Sequence, residues 1–201
     1  MKSWALISPR VPESAHPRLE RVLRAYSGQV RLAPPRQSKW GDFRWQAGSL
    51  SRISINRDLN PEAFLITLLH ELAHAQVHAW DSQYRLPHGL EWQRRYRDLV
   101  QPFLDDGVFS PAVHRALSLG LRQPKASCGA DPRLLKALQG TQENGHPTVE
   151  SLPEGSLFTV RSGRQFKKGP KRRSRYSCTE LGTGRTFAVH PLMEVHPVQN
   201  A

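Results

Sequence analysis

Asn60-Pro61-Glu62-Ala63-Phe64-Leu65-Ile66-Thr67-Leu68-Leu69-His70-Glu71-Leu72-Ala73-His74, continuing through Val77 to Trp80, is the stretch that decides how this chain folds. Asn60 can cap a helix, Pro61 occupies the first helical position where no N–H is missed, and Glu62 suits the positive end of the helix dipole. Phe64, Leu65, Leu68, Leu69, Leu72, Ala73 and Val77 cover most of the circumference, which predicts a central, buried helix reaching about Trp80. Inside it, His70-Glu71-Leu72-Ala73-His74 reads H-E-x-x-H. Residues four apart share a helix face, so both imidazoles can reach one zinc ion. Glu71, rotated about 100° from His70, can reach a water on that ion. An apolar helix has little other reason to hold three polar groups there.

A catalytic zinc needs a third protein ligand and an open position for water. His78 continues the stripe but stands eight residues from His70, roughly 12 Å along the axis at 1.5 Å per residue, too far to share the ion. A metzincin extension fails as well, because Val77 and Trp80 stand where that pattern has Gly and His. Two candidates follow: His88, in Pro87-His88-Gly89, and Glu91 on the next helix. His88 is favoured because a loop just before a helix can swing an imidazole onto the metal, with Gly89 allowing the turn; Glu91 is the alternative. His16, His114, His146, His190 and His196 read as surface or structural. For the oxyanion that develops during hydrolysis, Tyr84 and Tyr96 are both candidate donors.

Outward from this helix the periodicities change. Leu19, Val22, Leu23 and Tyr26 predict an amphipathic helix over 16–26, and Arg52 to Asn56 alternates as a half-buried strand of a small sheet within 29–56. Trp92, Tyr96, Leu99, Val100 and Phe103 predict a second long helix that Pro102 kinks or ends. Ser110-Pro111 and Asp131-Pro132 open short helices to about Leu119 and Leu138. Gly140 to Glu154 reads as a linker. Leu157 to Arg161, Ser174 to Leu181 and Arg185 to His190 read as strands, with a hairpin at Gly182-Thr183-Gly184 and a further strand over Val195 to Val198. The expected class is α+β: a mainly helical domain with a small sheet over 1–124, a short helix and linker over 125–150, and a small all-β module over 151–201.

The composition narrows the function. With 201 residues and 38% hydrophobic content, the chain suits one globular domain with a small appendage. No apolar run approaches the roughly 18 residues of a membrane span, and Trp4 to Ile7 is too short for a secretory core, so a cytoplasmic protein is expected. Lys and Arg number 29 against 17 Asp and Glu, a net charge of +12 that favours a polyanionic partner. The charge is concentrated late: Arg164, Lys167, Lys168, Lys171, Arg172, Arg173 and Arg175, together with Arg161, are interrupted by no acid. These bases are candidate nucleic-acid contacts, neutralising phosphates and releasing counterions. Phe166 and Tyr176 could stack on an unpaired base, although a small β module needs such rings for its own packing. Cys128 and Cys178 are read as small buried hydrophobes.

Thr67 to His74 followed by His88-Gly89-Leu90-Glu91-Trp92, with Lys39-Trp40-Gly41-Asp42 and Ile53-Ser54-Ile55-Asn56 upstream, resembles the SprT-like zinc metalloproteases over about residues 15 to 120. The resemblance implies a zincin-like protease domain, one catalytic Zn2+ on His70, His74 and His88, and Glu71 as general base. It also implies a substrate class of proteins bound or crosslinked to DNA, with a nucleoid-associated location if DNA is bound. Many members carry a cysteine-rich zinc ribbon after the protease domain. Two cysteines cannot build one, and the basic β module stands in its place. The rival reading is a DNA-binding protein whose H-E-x-x-H site is structural or vestigial.

Overall fold

The computed structural model describes residues 2–36, 39–83, 86–122, 124, 131–140, 147–173, 175–191 and 193–198. Contacts divide the chain into two compact units, Met1–Thr141 and Gln142–Ala201, each with its own apolar cluster. The fold is mixed: six helices accompany a three-stranded and a five-stranded sheet among the described residues. No helix among them is long and apolar enough to cross a membrane.

The first unit runs α1 (Lys2–Ile7), α2 (His16–Arg24), β1 (Gln29–Ala33), β2 (Gly41–Arg44), β3 (Arg52–Asn56), α3 (Pro61–Trp80), α4 (Leu90–Asp105), α5 (Pro111–Gly120) and α6 (Pro132–Gly140). Asn60 caps α3 as its sequence predicts, its Oδ1 accepting from the Ala63 N–H at 2.8 Å. Phe64, Leu65, Ile66, Leu68, Leu69 and Ala73 are all fully buried, so α3 is the axis of the core. At about 1.5 to 3 kcal/mol per large apolar side chain, this burial outweighs any helix-propensity preference in the segment. Glu62 does more than suit its own helix: its carboxylate accepts from the backbone N–H and hydroxyl of Ser110, capping α5.

The small sheet has the order β1-β3-β2, with β1 parallel and β2 antiparallel to β3. Ile53 and Ile55 of β3 are fully buried, and α3 packs on β2, β3 and α4. Asn56, itself buried, fastens the segment before β2. Its Nδ2 donates to the carbonyls of Arg36 and Lys39, and its Oδ1 accepts from Arg36 Nε at 2.8 Å. This clamp sets where Gly41 starts the strand that lies beside α3.

Three sequence expectations change here. Pro102 does not end α4, which continues to Asp105. The proline lies in the last turn, where it forfeits a single backbone bond, and buried Phe103 and Leu104 hold that turn in place. The amphipathic helix α2 stops at Arg24, short of Tyr26. Helix α6, assigned to the connecting segment, belongs to the first unit: Leu134, Ala137 and Leu138 join its core, and Asn60 Nδ2 donates to the Leu138 carbonyl at 3.0 Å. Cys128, Tyr84, His146 and part of the linker, 141–146, lie outside the described residues.

The second unit is a sheet of order β7-β6-β5-β4-β8, formed by β4 (Leu157–Thr159), β5 (Gln165–Arg172), β6 (Arg175–Glu180), β7 (Thr186–Val189) and β8 (His196–Pro197). The longest of these strands, β5, is the basic stretch that carried no strand signal. Its apolar partners are few, but Phe166 and Lys168 alternate inward while the other bases stand on a solvated side. Phe158, Phe166, Cys178 and Val189 are buried together, and the Phe166 ring stacks on Phe158 and meets Phe187 edge-on. Cys178 is thus the small buried hydrophobe expected, its thiol pushed up in pKa by burial.

Candidate metal centre

Helix α3 delivers His70 and His74 to one side, and the turn before α4 delivers His88. Their Nε2 atoms form a triangle: His74 to His88 is 3.0 Å, and both other sides are 3.3 Å. Donor atoms about 2.0 to 2.1 Å from a tetrahedral zinc are separated by about 3.3 Å, so this triangle has the dimensions of three vertices of such a site. Three histidines therefore lie close enough to hold one metal ion, and this is the only such cluster found among the described residues.

Glu91, the alternative third ligand, is turned away. Its Oε1 pairs with Arg94 Nη2 and with Arg95 Nε, each at 2.8 Å. His78 is outside the triangle too and packs against the rings of Phe43 and Trp45. His16 bonds the Ser8 carbonyl and meets Trp4 edge-on, in keeping with a structural role. Tyr96 is buried on α4, its ring 5.6 Å from that of His70.

Trp92 is the residue that sequence reading undervalued. Four positions after His88, it is fully buried, and its ring centroid lies 4.6, 5.3 and 4.7 Å from those of His70, His74 and His88. One indole thus floors all three imidazoles, with Tyr96 stacked behind it at 5.0 Å. Its signal in the sequence is the helical repeat it shares with Tyr96 and Leu99, which by itself reads as core packing.

The apolar floor sets the charges. Burial pushes all three histidines below the usual imidazole range, His74 to about 3 and His70 well down, with neighbouring imidazoles adding to the shift for those two. They are held neutral at pH 7, the form that offers a lone pair to a metal. Glu71 moves the other way, to about 7: burial comes first and the Asp42 carboxylate adds, while the Phe43 N–H, Arg36 and Lys39 oppose.

These shifts act on stability with opposite signs. Between about pH 4.5 and 7 the native state holds a proton on Glu71 that the unfolded chain has released, so this group removes stability as pH rises. Below about 6.5 the unfolded chain protonates histidines that the native state keeps neutral, so these groups remove stability as pH falls. Three histidines outweigh one carboxyl. The metal-free chain should therefore lose stability on acidification from pH 6.5 to 5, and Glu71→Gln should steepen the loss by up to about 1.4 kcal/mol per pH unit. Urea melts in chelator at the two pH values check this; a slope unaltered by Glu71→Gln would contradict it.

Strand β2 walls the carboxylate. A methyl group built on Gly41 would sit 2.6 Å from Glu71 Oε1 and 2.7 Å from Thr67 Cγ2. Glycine is required here by close approach, not by its backbone angles. Gly41→Ala should cost about 1 to 3 kcal/mol and displace Glu71, measurable as a lower Tm. An alanine variant of wild-type stability would remove the packing argument.

The seven candidate nucleic-acid contacts are not equivalent. Lys168 is buried, its Nζ donating to the carbonyls of Leu152 and Glu150 and lying 4.1 Å from the centre of the Tyr176 ring. Arg164 pairs with Glu180 and covers the rings of Phe166 and Phe187. Lys171 pairs with Glu150 at 2.8 Å. Lys167, Arg172, Arg173 and Arg175 are exposed and have no ion pair among the described residues. Compared with protein-family models, curated proteins and solved structures, the chain matches none.

Proposed function

We propose that this chain is a zinc-dependent peptide hydrolase of SprT-like type, acting on proteins bound or crosslinked to DNA. The observation that carries the hydrolase reading is the convergence of three imidazole nitrogens within 3.3 Å next to a buried glutamate. Catalytic zinc sites pair three protein donors of this kind with a water or substrate in the fourth position. A zinc ion bound there would supply positive charge that polarises a carbonyl and acidifies water near neutral pH.

The protein's own groups supply the rest. His70, His74 and His88 would hold the ion, and the buried Trp92 ring packs against all three imidazoles. Glu71, buried beside the three imidazoles, takes a proton from the attacking water and returns it to the leaving amine nitrogen. Strand β2 lies at an edge of its sheet and presses against Glu71, so an extended peptide added to that edge would run beside the carboxylate. The DNA-associated substrate class draws on the net charge of +12 and on the exposed bases of the second unit.

The test is zinc content measured together with cleavage of casein and of a DNA-bound histone, with and without added DNA. One zinc per chain with metal-dependent cleavage supports the reading. Zinc without cleavage of either substrate, accompanied by salt-dependent DNA binding, replaces it with a binding protein whose zinc site is structural.

A further inference from the structure

We propose that the end of the β5–β6 hairpin is a docking element for the phosphate backbone of duplex DNA, carried by Arg172, Arg173 and Arg175. The inference rests on the nucleic-acid part of the reading above and is independent of hydrolysis. It begins from an arrangement that is unfavourable in the isolated protein. Arg172 and Arg175 are direct cross-strand partners, and like charges facing each other across a strand pair are destabilising. Between them Arg173 has φ +54°, the only positive φ outside glycine among the described residues, at a position where Gly or Asn would relieve the strain.

Among the described residues no acid forms an ion pair with Arg172, Arg173 or Arg175: Glu150 is engaged by Lys171 and Glu180 by Arg164. All three tip arginines are exposed. Three concentrated positive charges on a strained reversal are stabilised when a polyanion replaces solvent around them, which is the electrostatic signature of phosphate binding.

The rest of the unit selects among polyanions. Single strands are gripped by stacking bases on open aromatic rings. Here Phe158 and Phe166 are buried, Phe187 is covered by Arg164, and Tyr176 lies under Lys168 and Lys171. An anionic membrane surface would favour an apolar wedge beside the bases, yet Leu181 is the only exposed large hydrophobic residue described in this unit. What remains is the last rung of the β5–β6 hairpin, which offers charge without stacking rings, and duplex DNA, with one phosphate charge per about 1.7 Å of its axis, is the denser phosphate polyanion.

Anisotropy of a labelled duplex of about 20 base pairs, titrated with the zinc-loaded full chain between about 0.05 and 0.2 M salt, tests the proposal. Replacing the three arginines by glutamine should weaken binding about 100-fold at 0.1 M salt and make the log–log salt slope shallower by about two to three. Arg173→Gly alone should weaken binding about 5- to 10-fold while Tm holds or rises, an outcome that misfolding cannot imitate. An unchanged slope in the triple variant overturns the proposal. So does tighter binding to the component single strand, or binding to phosphatidylglycerol vesicles but not to duplex. Duplex binding by a chain that cleaves no protein keeps this inference and removes the hydrolase; cleavage without duplex binding does the reverse.

Discussion

Glu71→Gln is expected to lower kcat/KM for casein by about 10² to 10⁴, with zinc stoichiometry equal to that of the wild type. This corresponds to about 3 to 5 kcal/mol of transition-state stabilisation. The carboxamide has the shape of the carboxylate, keeps an oxygen to accept the Phe43 N–H, and lies against Gly41 as before. What it loses is the ability to take up and release a proton near pH 7. It also removes a carboxyl whose burial opposes ionisation, so stability at neutral pH should hold or rise. Loss of cleavage together with unfolding would therefore point to a packing defect instead. Turnover within tenfold of wild type, at equal zinc content, removes Glu71 from the proton-transfer role.

The second large effect concerns the third ligand. His88→Ala should weaken zinc binding by well over the roughly 100-fold that loss of an outer-shell partner can cost, because one of three donor atoms disappears. Glu91→Gln, by contrast, should leave the affinity unchanged, since Arg94 and Arg95 already hold that carboxylate. Metal binding adds stability by mass action, about 2.7 kcal/mol at free zinc 100-fold above Kd, or several degrees in Tm for a domain of this size. Wild type and Glu91→Gln should lose those degrees in chelator, whereas His88→Ala should melt at one temperature with or without it. The reverse pattern, with zinc lost in Glu91→Gln and kept in His88→Ala, would make Glu91 the ligand.

Much of this site was legible before the fold. The pair His70 and His74 with Glu71 follows from helical spacing, and the helix itself follows from Asn60, Pro61 and its apolar circumference. His88 was favoured over Glu91 on loop geometry, and the structure brings it to the triangle. Gly41 and Trp92 were in plain view but uninterpretable in these roles, because each acts on groups that meet only after β2 and α4 dock on α3. The basic stretch carries no strand signal for a different reason. Its residues are mostly charged, yet antiparallel pairing needs only one buried face, and Phe166 with Lys168 is enough to make one.

Local chemistry, then, determined the elements: where α3 starts, which face bears the histidines, that β structure follows the helices and that the chain is basic. These depend on spacings of a few residues, caps and net charge, all of which are properties of the chain alone. Tertiary structure decided which side chains share an environment. It closed the third imidazole onto the other two across 14 residues, laid a tryptophan beneath them, and set a glycine against the Glu71 carboxyl. It also withdrew Lys168, Arg164 and Lys171 into contacts of their own and left three arginines facing outward at a hairpin end. The difference is physical. Burial and ion pairing arise between residues far apart in sequence, and it is burial that makes an imidazole neutral or a carboxyl basic, and pairing that leaves one cation engaged and its neighbour available.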